Sequence, residues 1–108
     1  MDRGSLERAA ARARDSGRPY VELLRVPSMS AGVCVFAVGS IDRQSPHAED
    51  EVYFVVRGRG RFRQGREDRP VTAGDFLFVP AREVHSFHEV EEELVVVVFF
   101  APAESPGA

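Results

Sequence analysis

Residues 39–58 read GSIDRQSPHAEDEVYFVVRG, and this stretch decides the fold. Its first half is polar and contains Gly39, Pro46 and Asp42, residue types that favour turns and loops. Its second half, residues 51–57, is rich in valine and aromatic residues and stops at Gly58, which is typical of a short β-strand. The stretch therefore predicts a polar loop that leads into a strand.

Similar short runs recur along most of the chain, separated by turn-forming residues and by no helical pattern. We expect strands at residues 20–26, 32–38, 51–57, 60–64, 69–71, 76–79, 83–90 and 94–100. This number of short strands in about 80 residues predicts an all-β fold, a small barrel or sandwich rather than a parallel βαβ sheet. Residues 94–100 are apolar at every position, which predicts a strand covered on both faces, in a barrel wall or a subunit interface.

The N-terminal residues have a different pattern. Alanine and arginine dominate residues 6–14, Ser5 is a suitable N-cap, and Gly17 can end the helix. We accordingly divide the chain into an N-terminal helical extension (1–19), a barrel (20–101) and a flexible tail (102–108).

Composition excludes several functional classes. The 108 residues suffice for one domain, and all 14 basic residues are arginine, so chemistry that needs a lysine is excluded. The net charge of −3 argues against a nucleic-acid or membrane-surface partner. Cys34 is the single cysteine, so no internal disulfide forms. With no secretory pattern and no apolar run of membrane-spanning length, we expect a cytoplasmic protein.

Two spaced blocks carry the chemistry. The first block is Gly39, Ser45, His47, Glu51 and Gly58, and the second is Gly74, Pro80 and His85. Together they resemble the two sequence motifs of the cupin superfamily, with a serine where the first motif usually begins its histidine pair. The resemblance covers about residues 20–100 and implies a cupin-type double-stranded β-helix, a jelly-roll barrel, that follows a short N-terminal helix.

The residues themselves favour a metal site. His47, Glu51 and His85 offer two imidazoles and one carboxylate, a donor set that suits Fe, Mn, Ni or Zn as a divalent ion. On a straight strand His47 and Glu51 would lie about 13 Å apart, so the chain must fold back at residues 48–50. The replacement of a histidine by Ser45 predicts either three protein ligands with open positions or a weakened, metal-free site.

Other side chains are candidates for the same cavity. Strand parity places Tyr53 beside Glu51 and Phe87 beside His85, and Arg82 precedes the histidine in its turn. We expect a substrate pocket formed by Ser45, Tyr53, Phe87 and Arg82, with His47, Tyr53 and His85 as candidate catalytic residues. Plain core packing is an equally good interpretation of Phe87, and a solvent-exposed loop side chain of Arg82.

Three further features are assigned no part in the site. His88 shares no strand face with His85 and is expected at the surface. Cys34 is expected to be a small buried side chain. Arg59, Arg61 and Arg63 alternate along one face, which we interpret as a solvated surface neutralised by nearby acidic residues rather than a nucleic-acid site.

Three functions remain open. The favoured one is a mononuclear metal-binding cupin, a metal-dependent enzyme of dioxygenase or isomerase type that acts on a small organic molecule. The second is a metal-free dehydratase or epimerase with a histidine as general base, and the third a non-catalytic module that binds a small molecule. We also expect a homodimer, because so small a barrel has edge strands to cover, with residues 20–26 or 94–100 in a shared sheet.

Overall fold

The computed structural model describes residues 5–16, 19–42 and 46–105. Within these ranges one helix precedes six strands: α1 (Leu6–Ser16), β1 (Tyr20–Val26), β2 (Met29–Phe36), β3 (Asp50–Gln64), β4 (Glu67–Thr72), β5 (Phe76–Val79) and β6 (His85–Ala101). All the strand pairs are antiparallel. The predicted fold class, an antiparallel β architecture with a short N-terminal helix, is therefore confirmed.

The sheet is organised around its two longest strands. Its order is β1-β2-β6-β3-β4, and β5 pairs with the other end of β3. The β3–β6 pair extends from Asp50 opposite Ala101 to Gln64 opposite His85. The start of β6 therefore lies at the end of β3, and the sheet must curl to bring His85 towards Glu51.

The predicted number of strands was wrong. Residues 51–57 and 60–64 belong to one strand, β3, and residues 83–90 and 94–100 fall largely within one strand, β6. Gly58, at φ 101°, lets β3 turn without stopping, and the pairing continues across register shifts between Val55 and Arg61. The glycine-rich segment therefore bends a strand and does not end it.

Alternate residues of the strands fill the inside of the curled sheet. The inner residues of β6 include Leu94, Val96, Val98 and Phe100, and they pack with Tyr53, Val55 and other buried side chains. On the outer face, Val33, Val35 and Val95 pack beneath Ala9, Ala10 and Ala13 of α1. Small alanines let the helix approach the sheet closely. No helix in these described ranges is long and apolar enough to cross a membrane.

Strand β6 is an inner strand of the sheet. It pairs with β2 on one side and β3 on the other. The continuous apolar run of 94–100 therefore lies in the barrel wall, which is one of the two locations predicted for it. The alternative that 94–100 supplies a shared sheet edge in a dimer was wrong, because both of its edges are already paired; β1 lies at the sheet edge.

Candidate metal site

His47 reaches the site from a loop that the neighbouring turn holds in place. Residues 46–49 precede β3 and lack strand structure, so the chain folds back where the spacing requires it. The backbone N–H of Arg82 donates to the carbonyl of His47 at 2.6 Å. The N–H of Ala81 donates to the Asp50 carboxylate at 2.8 Å. These two bonds join the loops that carry the two motif histidines.

Glu51, Tyr53 and His85 meet inside the barrel. Nε2 of His85 lies 2.9 Å from Oε1 of Glu51 and 3.1 Å from the hydroxyl of Tyr53. The other ring nitrogen, Nδ1, lies 2.9 Å from the carbonyl of Glu83 and donates to it. Since a neutral imidazole has one N–H, this bond leaves a lone pair on Nε2, directed at the carboxylate and the phenol.

The structure brings the three predicted metal ligands together. The donor atoms of His47, Glu51 and His85 all lie within 4.8 Å of one another, and the three residues are buried. Adjacent ligands of a metal at about 2.1 Å lie about 3.0 Å apart, and opposite ligands about 4.2 Å. The 2.9 Å between Glu51 and His85 matches the first value, and the 4.8 Å limit bounds the other separations, which must shorten for all three donors to bind one ion.

The carboxylate of Glu51 is the strongest sign that a cation belongs here. Glu51 is 2% exposed, yet neither oxygen accepts a well-formed hydrogen bond from any residue that the structure describes. A buried carboxylate that accepts so few well-formed hydrogen bonds is costly. A divalent ion bound by Glu51 and the histidine lone pairs would remove that cost, so the residues present fit a metal ion.

The electrostatics of His85 agree with this interpretation. Burial works against a charged imidazole, but the Glu51 carboxylate, the Glu83 carbonyl and the charge of Asp42 together outweigh it, and the pKa of His85 is raised. The surroundings of His85 therefore favour a positive charge at this position. Burial, followed by the charge of Glu51, raises the pKa of Tyr53 well above its ordinary value, so this phenol keeps its proton.

Two carboxylates at this site were not predicted from sequence. Oε2 of Glu104 lies 3.3 Å from Nδ1 of His47. Glu49, 3% exposed, accepts hydrogen bonds from the backbone N–H and hydroxyl of Ser105. Burial raises the pKa of Glu104 despite the opposing effect of His47, and the charges of Glu49 and Glu51 add to it. Neither residue occupies a motif position, and an isolated acid in a proline-containing segment was the only sequence signal of Glu104.

The expected pocket residues differ in their surroundings. Tyr53 contacts the site directly, whereas Phe87 is 1% exposed and packs against the rings of Phe36, Tyr53 and Phe62. Arg82 contributes its backbone to the loop, and its side chain is exposed. Ser45 lies outside the described residues, so its predicted role stays a prediction.

The remaining candidates lie away from the three ligands. Nε2 of His88 pairs with Asp68 at 2.9 Å on the outer surface. Cys34 is buried among core side chains, and burial raises the pKa of its thiol. Arg59, Arg61 and Arg63 each form an ion pair, Arg59 with Glu91 and the other two with Asp68. Acidic neighbours thus neutralise the arginine face, as predicted.

Comparison with known proteins agrees with the two motifs. The sequence pattern of the cupin domain matches residues 32–101, well over half of the chain. The chain belongs to the cupin family. An uncharacterised protein of Streptomyces coelicolor is 44% identical to this cupin over 99 residues, covering 92% of this chain and 93% of the relative.

Solved structures show the same fold at lower identity. A conserved double-stranded β-helix protein from Klebsiella pneumoniae superposes with a TM-score of 0.79 at 19% identity, covering 94% of this chain and 90% of that one. An RmlC-like cupin from Shewanella frigidimarina gives 0.72 at 24%, covering 78% and 75%. KdgF from Halomonas gives 0.70 at 23%, covering 77% and 76%. The predicted double-stranded β-helix is thereby confirmed.

Proposed function

We propose that this cupin binds one divalent transition-metal ion, Fe, Mn, Ni or Zn, through His47, Glu51 and His85, and that it acts on a small organic molecule at that site. The observation that carries the proposal is the buried Glu51 carboxylate, which has no well-formed hydrogen bond among the described residues and faces Nε2 of His85 at 2.9 Å. When Nε2 of His85 carries no proton, two acceptors at this distance repel unless a cation lies between them.

Each residue has a distinct task in this proposal. The two imidazoles and the carboxylate hold the ion and leave coordination positions open, and when bound the ion supplies Lewis-acid or oxygen-activating chemistry. Tyr53 keeps its proton and presents a hydrogen-bond donor beside His85. His47 retains 10% exposure of its side chain, whereas His85 and Glu51 have 0% and 1%. A small molecule therefore approaches from the side of His47.

A metal-free reaction is the second candidate, and the Tyr53–His85 contact at 3.1 Å favours it. With a proton in place of the ion, His85 would exchange protons with a substrate between the phenol and the Glu51 carboxylate. A dehydratase or epimerase of this kind needs both residues and no ion. A binding module without catalysis would use the same cavity.

Metal content separates these candidates. The untagged wild-type chain and Glu51→Gln are purified side by side and analysed by elemental mass spectrometry. The proposal predicts close to one transition-metal ion per wild-type chain and strong depletion in Glu51→Gln. Absence of metal from the wild type, even after incubation with each of the four ions, would overturn the proposal in favour of the metal-free candidate.

We also propose that a second copy of the chain covers the aromatic outer face, defined as Phe54, Phe76, Phe78 and Phe99. Their exposed fractions are 40%, 69%, 53% and 40%. Phe54 lies opposite Phe76, and Val52 lies between Phe78 and Phe99 across the paired strands. A contiguous apolar surface of this kind is typical of an interaction site. The homodimer expected from sequence then forms through a sheet face.

A further inference from the structure

The segment that follows β6 turns back onto the barrel. The N–H of Glu104 donates to the hydroxyl of Ser30 at 2.9 Å, and the guanidinium of Arg25 donates to the Glu104 carbonyl at 2.9 Å. One residue later, Ser105 donates to the buried Glu49 carboxylate. The backbone of Glu104 is therefore fixed on both sides, which directs its side chain.

The Glu104 side chain contacts one of the three proposed metal ligands, His47. Its Oε2 lies 3.3 Å from Nδ1 of His47. Among the described residues, the group of donors within 4.8 Å of one another comprises His47, Glu51 and His85, and Glu104 is not a member. The carboxylate is thus placed to act on the ring of His47 rather than as a fourth ligand.

We infer that Glu104 is a positioning residue, which accepts the Nδ1 proton of His47 and so places the lone pair on Nε2, where it can bind the metal. This inference rests on the proposed metal-binding function. His85 has an equivalent arrangement, since its Nδ1 donates to the Glu83 carbonyl at 2.9 Å. Metal-binding histidines commonly donate their second N–H to a carboxylate or carbonyl, which fixes the tautomer and the ring orientation.

The same contact explains why an acidic residue is useful in this segment. Glu104 is 24% exposed at its side chain and stands where His47 meets solvent. It lies beyond both cupin motifs in sequence, and it reaches the site only because the chain folds back after β6. A carboxylate there gives His47 a partner that the 3.3 Å separation brings almost to hydrogen-bond length.

Metal affinity of Glu104 variants tests the inference. Metal-stripped wild type, Glu104→Leu, Glu104→Gln and the surface control Glu91→Leu are titrated with Zn²⁺ in competition with a chelator. We expect Glu104→Leu to bind Zn²⁺ about 10–100-fold more weakly, because loss of the hydrogen-bond partner of a metal-ligating histidine usually has this effect. Glu104→Gln keeps an acceptor oxygen and should recover most of the affinity, and Glu91→Leu should equal the wild type.

A second measurement needs no metal. Nitrogen-15 NMR of the metal-free protein reports which ring nitrogen of His47 carries the proton. The Nδ1–H tautomer should dominate in the wild type and in Glu104→Gln, and its share should fall in Glu104→Leu, with thermal unfolding used to verify that each variant is folded.

The outcomes distinguish this inference from the proposed function. A wild type that binds no Zn²⁺ contradicts the metal site, while the tautomer measurement still decides the role of Glu104. A wild type and a Glu104→Leu variant with equal Zn²⁺ affinity and equal tautomer populations would overturn the inference and leave the metal site standing.

Discussion

Oε1 of Glu51 and Nε2 of His85 lie 2.9 Å apart in a part of the barrel where both side chains are almost fully buried. A carboxylate and an imidazole lone pair repel each other at this distance, so either a proton on Nε2 or a metal ion must lie between them. If the proposed metal ion fills this position, the stability of the chain should depend on the metal concentration.

The first prediction concerns this pair. Glu51→Gln replaces the carboxylate by a neutral amide and so removes the anionic ligand, and the variant should lose the gain in stability that metal gives the wild type. At a metal concentration of about 100 Kd, the free energy of unfolding of the wild type should rise by about 2.7 kcal/mol, and that of the variant should change little. Thermal unfolding with and without Zn²⁺ measures both effects. An equal gain in the two proteins would contradict the role of Glu51.

The second prediction concerns the bend in β3. Gly58 has φ 101°, and an added Cβ would collide with the backbone of Glu93. Gly74, at φ 95°, has the same backbone constraint but meets no heavy atom of the described chain within 4 Å. Gly74→Ala should lower the free energy of unfolding by about 1–2 kcal/mol, because only the backbone conformation is disfavoured. Gly58→Ala should lower it by at least about 3 kcal/mol, because the added Cβ also collides with the neighbouring strand. Denaturant unfolding compares them, and equal losses would refute the steric explanation of the bend.

The third prediction is a pH dependence. Burial raises the pKa of both tyrosines, with Glu104 adding to the effect at Tyr20 and Glu51 at Tyr53. An unfolded tyrosine ionises near pH ~10, so this contribution to stability is complete below that pH and is lost as the pH rises further. Ultraviolet phenolate absorbance should therefore appear at higher pH in the native chain than in guanidinium. Coincident titration curves would show that the phenols are not buried.

The fourth prediction concerns assembly. Phe76→Glu introduces a charge into the aromatic outer face and should convert a dimer, with twice the chain mass of 12.0 kDa, into a monomer. Val38→Glu is the matched control, because Val38 is 64% exposed and follows the end of β2, whereas the aromatic outer face is formed by residues of β3, β5 and β6. Light scattering at micromolar concentration measures the mass. A monomeric wild type, or dimers of both variants, would contradict the proposed interface.

Much of the fold could be predicted because its signals are local. The two-residue period of a strand, counted from Glu51, predicts that Tyr53 points inward beside it. Turn residues mark where most strands end. The loop between His47 and Glu51 could also be predicted. On a straight strand the two residues would lie too far apart to share a site, and the structure contains the loop that brings them together.

The remaining features depend on contacts between residues distant in sequence. Gly58 was expected to end a strand, but pairing with β6 carries β3 through the bend. Glu104 has no neighbouring residue that predicts a functional role, and its position depends on Ser30 and Arg25, more than 70 residues earlier. Such contacts exist only once the barrel has formed, so motif spacing could not indicate them.

Metal binding itself is tested most directly by calorimetric titration of the metal-stripped chain with Zn²⁺, using two histidine variants. His85 belongs to the donor group, whereas His88 pairs with Asp68 at the surface. We predict one Zn²⁺ site per chain in the wild type and an unchanged site in His88→Ala. The Zn²⁺ affinity of His85→Ala should fall by more than the roughly 10–100-fold that is typical of losing a residue that only hydrogen-bonds to a metal ligand. Negligible heat in all three proteins, or equal affinity in His85→Ala and His88→Ala, would contradict a metal site at His47, Glu51 and His85.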